Sequence, residues 1–234
     1  MEDDFLRVAV IIPCKKQDAY VDRCLDHLDK MNRPTDVGIT IRVVSDELVP
    51  GLPAVKRNWA MKEHADHEIF AFIDSDAYPH KDWLKNALYW LQTFDAVCGP
   101  GVLPFDAPFS ERVADQVHKR VFCPYRVKED KPRIVPWHPT FNLIVKNSVA
   151  TPFEDFLTGE DDRFGVKIKD GIFYHPSILV YHNRRGIFKP LWKQFGTYAR
   201  HKGRLNRLSL VAWVTTIWTY AVNFLIGFCK RRPN

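Results

Sequence analysis

Three strand-like runs in the first 75 residues, Leu6–Pro13, Ile39–Val44 and Glu68–Ile73, alternate with segments of helical spacing. That alternation restricts the fold more than any other feature. The first run, LRVAVIIP, is rich in β-branched residues and ends in Pro, the pattern of a strand buried on both faces. Val21, Cys24, Leu25, Leu28 and Met31 then recur at three- and four-residue intervals, predicting an amphipathic helix over Ala19–Met31. After a loop carrying Pro50, Gly51 and Pro53, a helix is expected over Arg57–Ala65. Leu84, Ala87, Leu88, Leu91 and Phe94 mark another, and Ala96–Cys98 a short strand. Such alternation predicts a parallel α/β sheet with Pro13, Val44 and Ile73 on one edge. Ligands of open α/β sheets bind outside the carboxyl ends of the strands, so chemistry is to be sought just after these three residues.

The second half is less regular. Pro104–Phe109 reads as loop, Glu111–Val121 and Glu160–Ile168 as helices, and Phe141–Val145 and Ile178–Tyr181 as strands. One domain is expected over 1–205, followed by a hydrophobic, membrane-associated segment with a basic tail over 206–234. Within that tail, Leu208–Phe228 holds no charged residue and has basic residues on both sides. Its length suffices for a bilayer span of about 20 residues. Positive flanks at both ends conflict with the positive-inside preference for a simple span, so an interfacial helix or a re-entrant hairpin stays open beside it, as does a buried core helix.

The net charge of +6 comes largely from the last fifth of the chain, which points to a local anionic partner. Aromatic and basic residues do not interleave over the main body, which argues against a nucleic-acid partner. Five cysteines, odd in number and without a C-x-x-C pair, suggest neither a disulfide framework nor a zinc site; they read as reduced thiols of a cytosolic compartment. The acidic start MEDDFLRVAVIIP reads as a first strand, not a signal peptide.

Four constellations carry chemistry. Asp74-Ser75-Asp76 follows a buried strand, where two carboxylates can face one hard cation such as Mg²⁺ or Mn²⁺; solvated turn residues are the plainer alternative. Thr158-Gly159-Glu160-Asp161-Asp162 opens a helix, where acids suit the dipole, Thr158 can cap, and a carboxylate can also act as a general base. His182 precedes Arg184 and Arg185, two guanidinium groups suited to phosphate. Ala54-Val55-Lys56-Arg57-Asn58 is either an exposed helix start or a place to hold a pyrophosphate.

In this order the pieces resemble the family 2 glycosyltransferases of the GT-A fold, over roughly Val8 to Gly203. The resemblance implies a Rossmann-like nucleotide half with a central, mostly parallel mixed sheet flanked by helices. VAVIIPCKKQDAYVDRCLDHL resembles the opening strand and helix, so Pro13 would sit at the nucleotide. Asp46 resembles the acid that contacts the nucleoside, although the usual D-D-G-S-T is here VVSDELVPG. Gly51–Asn58 is similar to G-x-x-x-A-R-N, with Lys56 standing where Ala is usual and Arg57 retained. FNLIVKNSV resembles the acceptor-side strand, with Asn142 retained and Lys146 in place of an Arg. The resemblance implies Asp74, Asp76 and His182 around a metal, and Glu160-Asp161 as the catalytic pair with Asp161 as base and Asp162 in reserve. Arg184, Arg185 and Lys193 would face the diphosphate. The processive Q-x-x-R-W signature is absent; QFGTY stands near its place.

An inverting, divalent-metal-dependent transfer from a nucleotide sugar, UDP-linked rather than GDP-linked, to a lipid-linked or other glycan acceptor is therefore expected. Its catalytic domain would lie on the cytoplasmic side of a membrane. Transfer to a polyprenyl phosphate would need no strong base. A nucleotidyltransferase would ordinarily carry a Gly-rich loop after the first strand, which PCKKQDAY lacks. A non-catalytic, membrane-tethered binding module would have no need of the Glu160–Asp161 pair.

Overall fold

The computed structural model describes residues 5–112, 115, 131–156 and 159–183. The chain forms two compact units, one of residues 1–102 with 129–182, the other of 103–128 with 183–234.

The first unit begins as the sequence predicts: β1 (Leu6–Pro13), α1 (Ala19–Asp29), β2 (Val37–Val44), α2 (Pro53–Glu63) and β3 (Ile69–Phe72). The second helix starts at Pro53, four residues before the expected Arg57, because Pro is preorganised for a first helical turn. Then follow β4 (Ala77–Pro79), α3 (Trp83–Leu91), β5 (Ala96–Cys98), β6 (Gly101–Val102), β7 (Arg133–Val135), β8 (Leu143–Lys146), α4 (Glu160–Gly165), β9 (Ile172–Tyr174) and β10 (Val180–His182). The strands β4, β7 and β9 have only three residues each, too short for a period to register in the sequence.

Seven strands make the main sheet in the order β2-β1-β3-β8-β5-β9-β7, and β4-β10-β6 make a second. The main sheet is evenly mixed rather than mostly parallel. β2-β1-β3 and β5-β9 are parallel, whereas β8 runs antiparallel to both β3 and β5, and β7 to β9. β8 enters the sheet from the far side, so it pairs in the opposite sense.

Pleat alternation sorts β1 between two layers. Val8, Val10 and Ile12 join Cys24 and Leu28 of α1 and Trp83, Leu84, Ala87 and Leu91 of α3 in one core. Elsewhere Phe72 of β3 meets the edges of Phe153 and Phe164, which stack on each other at 4.1 Å. Phe164 matters because α4, six residues long, is too short to hold itself by hydrogen bonds alone. Among the described residues Cys14, Cys24 and Cys98 are free thiols, and all three are buried.

In the second unit, Pro104–Phe109 is largely loop, and helix begins at 109. Arg112 folds back onto the carbonyls of Ala107 and Phe105, leaving the Phe105 side chain exposed. The remainder of the expected helix to Val121 lies outside the described residues, apart from Asp115. So do Arg184, Arg185, Lys193, QFGTY and the whole of Leu208–Phe228. Among the described residues no helix is long and apolar enough to cross a membrane.

Candidate active site

The carboxyl ends of β1, β2 and β3 gather the expected polar groups. β3 stops at Phe72, Ile73 still donates to the Ile11 carbonyl at 3.2 Å, and the Ala77 N–H closes a turn on the Asp74 carbonyl at 3.0 Å. Asp74 and Asp76 therefore stand on a turn between β3 and β4, not on alternate residues of a continuing strand. The second sheet completes the group. β10 pairs antiparallel with β4, with His182 opposite Ala77, which carries the imidazole to the neighbouring Asp76. His182 Nε2 lies 3.2 Å from Asp76 Oδ1, and the Phe141 ring packs against the imidazole at 4.7 Å. One ligand atom from each of Asp74, Asp76 and His182 falls within 4.8 Å of the others, a set of donors able to hold a metal ion.

Arg57 joins this group to the second acidic pair. Its guanidinium is 3% exposed; Nη2 donates to Asp74 Oδ1 at 2.9 Å, while Nη1 lies 3.5 Å from Glu160 Oε1 and 3.9 Å from Asp161 Oδ1. Read from sequence as a nucleotide contact, Arg57 faces three carboxylates in the structure. An unpaired buried charge would be costly, so the acids and the guanidinium hold one another in place.

Glu160 and Asp161 open α4 behind Gly159, whose φ of 86° lies where only glycine is unstrained. Gly159 occupies the cap position and offers no side-chain cap; Thr158, the expected cap, lies outside the described residues. Asp161 Oδ1 accepts from the Thr140 hydroxyl at 2.9 Å. Burial raises the Asp161 carboxyl to about 7, with Glu160 and Asp74 pushing the same way and Arg57 and Thr140 opposing. A carboxylate poised near neutrality suits proton abstraction.

Pro13 ends β1 opposite Val44, and the loops beyond are stitched together by Cys14 N–H to Val44 O and Asp46 N–H to Lys15 O, both 3.0 Å. Asp46 stands half-exposed at this junction, bound by Lys56, which holds its carboxyl below the usual carboxylate range. Asn142 is a structural cross-link: fully buried, it accepts from Trp83 Nε1 and donates to the Ile178 carbonyl. Lys146 pairs with Asp95 at 2.8 Å, away from the acidic cluster. Thr140 and Phe141 escaped the sequence reading. Their neighbour Asn142 was the only cue, and nothing in the spacing pairs residue 140 with 161 or 141 with 182.

A cavity of about 960 Å³ opens at the other, amino-terminal ends of β1, β2 and β3, between Leu6, Val37, Ile69 and Leu88. Lys146 and His67 in its wall already have acidic partners, Asp95 and Asp66. The converging acids lie at the opposite end of these strands.

Residues 52–150 match the family model described as glycosyl transferase family 2. Over 255 residues the chain is 22% identical to the dolichyl N-acetyl-alpha-D-glucosaminyl phosphate 3-beta-D-2,3-diacetamido-2,3-dideoxy-beta-D-glucuronosyltransferase of Methanococcus voltae, covering 93% of this chain and 78% of the relative. Among solved structures, A197 from STIV shares 21% identity at a TM-score of 0.50, covering 76% of this chain and 86% of that one. The S. aureus TarS structure in complex with UDP-GlcNAc shares 19% at a TM-score of 0.53, covering 77% of this chain and 59% of that one.

Proposed function

We propose that this chain, which belongs to the family 2 glycosyltransferases and carries their GT-A fold, moves a sugar from a UDP-sugar onto a hydroxyl of a lipid-linked glycan. The observation that carries this reading is the convergence of Asp74, Asp76 and His182, with Arg57 linking Asp74 to the Glu160–Asp161 pair. Two carboxylate oxygens and one imidazole nitrogen fit Mg²⁺ or Mn²⁺, the nitrogen favouring Mn²⁺. Held there by Asp74, Asp76 and His182, a divalent cation would stabilise the charge that develops on a departing nucleoside diphosphate.

The side chains divide the remaining work. Arg57 fixes the rotation of the Asp74 carboxylate through Oδ1, and Phe141 holds the His182 ring against Asp76. Asp46 and Pro13 flank the nucleoside, and Arg184, Arg185 and Lys193 offset charge on the leaving group. Asp161, oriented by Thr140, takes the proton of the acceptor hydroxyl. The hydroxyl oxygen bonds to the anomeric carbon as the bond to the diphosphate breaks on the opposite face, inverting the centre. Glu160 keeps Arg57 in place beside the base.

The donor assignment draws support from the UDP-GlcNAc complex of TarS, and the acceptor from the lipid-linked sugar in the name of the Methanococcus relative. The uncharged run Leu208–Phe228 with its basic flanks favours work at the cytoplasmic face of a membrane. The test is Asp161→Asn in detergent. Retained metal-dependent UDP binding with transfer lost is expected. Undiminished transfer would remove Asp161 as base and favour an acceptor that is already anionic, such as a polyprenyl phosphate.

A further inference from the structure

Lys56 stands where the resembling family carries Ala, and the mechanism above gives it no part. It lies in the first turn of α2 and is 2% exposed. Lysine is almost never buried so fully unless it is paired. Its ammonium donates to the Cys14 carbonyl at 2.5 Å and to Asp46 Oδ1. One buried cation thus ties the loop after β1 to the loop after β2, the two loops between which a nucleobase would lie. The Gly51 backbone amide beside the same carboxylate also favours its ionised form. Gly51 has a φ of 132°, a conformation that side chains rarely adopt. Asp46 nevertheless remains 45% exposed, so part of its acceptor capacity faces outward.

We infer that Lys56 is a specificity-determining residue: by committing Asp46 Oδ1 it leaves the carboxylate one outward oxygen, which selects uracil over guanine. The inference rests on the reading of this crevice as a nucleotide-sugar site. An ionised carboxylate only accepts hydrogen bonds. Adenine and cytosine present a bare ring nitrogen where a donor is needed, and so repel it. Guanine presents two adjacent donors, the ring N1–H and the exocyclic amine, and gains its advantage from both oxygens together. Uracil presents a single donor, N3–H, between two carbonyls. An Asp46 whose Oδ1 already accepts from Lys56 suits the single donor of uracil and weakens the second bond that guanine would add, so selectivity arises from the bond weakened as well as the bond made. Lys56 acts through Asp46 and is in that sense a positioning residue.

Calorimetric titration with UDP, GDP and N3-methyl-UDP in Mn²⁺, on wild type and Lys56→Met, tests this. Methionine keeps an apolar stem in the buried channel and removes the charge. Wild type is expected to prefer UDP to both other nucleotides by about tenfold or more, the worth of one hydrogen bond to a charged group. Lys56→Met is expected to reduce the UDP:GDP preference by about tenfold. A purely structural lysine would lower the melting temperature without moving that ratio, so a folded Lys56→Met with an unchanged ratio overturns the inference and leaves the glycosyltransferase site standing. Equal binding of N3-methyl-UDP and UDP by wild type also overturns it, and needs no variant to fold. If neither UDP nor GDP binds wild type, the nucleotide reading falls and the inference with it.

Discussion

The β1–β2 edge and the β8–β5–β9 region are held together in different ways. β1 and β2 pair in parallel over eight consecutive positions, from Leu6 with Val37 to Pro13 with Val44. β5 meets β8 over three positions and β9 over two. A long ladder carries its own stability, and the side chains beyond its end are free for chemistry. Short strands cannot do this, and buried polar side chains bind them together instead. Asn142 links the start of β8 to α3 and to the loop before β10. The segment leading to α4 is held in a similar way by half-buried Asn58 of α2, which both donates to and accepts from the Phe153 backbone at 2.8 and 2.7 Å. The candidate base sits on the second kind of scaffold, and its position therefore depends on a few individual hydrogen bonds.

The sharpest way to break the comparison is Asn142→Ala. It strands the buried Trp83 indole N–H and Ile178 carbonyl, and is expected to cost about 3 kcal/mol or more in chemical denaturation. A loss under about 1 kcal/mol would mean that the short strands hold themselves.

The pH dependence of Asp161 comes next. Its folded pKa of about 7 lies above the ordinary carboxylate value near 4, so the folded state holds the extra proton between these limits. In metal-free protein this group's contribution to stability is highest below about pH 4 and is lost as pH rises through 7. Asp161→Asn is expected to flatten that decline in melts taken from pH 5 to 8. An unaltered decline would place the titration elsewhere.

Much of the ladder side is legible in sequence, because β-branched runs and a three- and four-residue period are local signals. The Asp74-Ser75-Asp76 turn was legible as well, its acids following a wholly apolar strand. The contact of Asp161 with Thr140, 21 residues away, was not, since it arises only from packing; the grouping of His182 with Asp76, 106 residues away, came from the family resemblance and from no local pattern. Arg57 shows the limit most clearly. Its residue type announced an anion, but only the fold reveals three protein carboxylates around it.

Smaller effects sharpen the same contrast. Asn58→Ala removes both bonds to Phe153 and is expected to cost about 2 kcal/mol, with the stack of Phe153 on Phe164 of α4 loosened. Asp18→Ala, on the ladder side, removes an N-cap that accepts from Tyr20 and Val21 N–H. It is expected to cost about 1 kcal/mol and to leave transfer unchanged. A reversed order of these two losses, read by urea denaturation, would contradict the contrast between the regions.

The central claim is that Asp74, Asp76 and His182 form a metal-dependent nucleotide site, and calorimetry of UDP binding in Mn²⁺ and in excess EDTA tests it most directly. Binding in Mn²⁺ that disappears in EDTA and in Asp76→Ala is the predicted result. UDP binding that persists undiminished in EDTA, or in a folded Asp76→Ala, would contradict it.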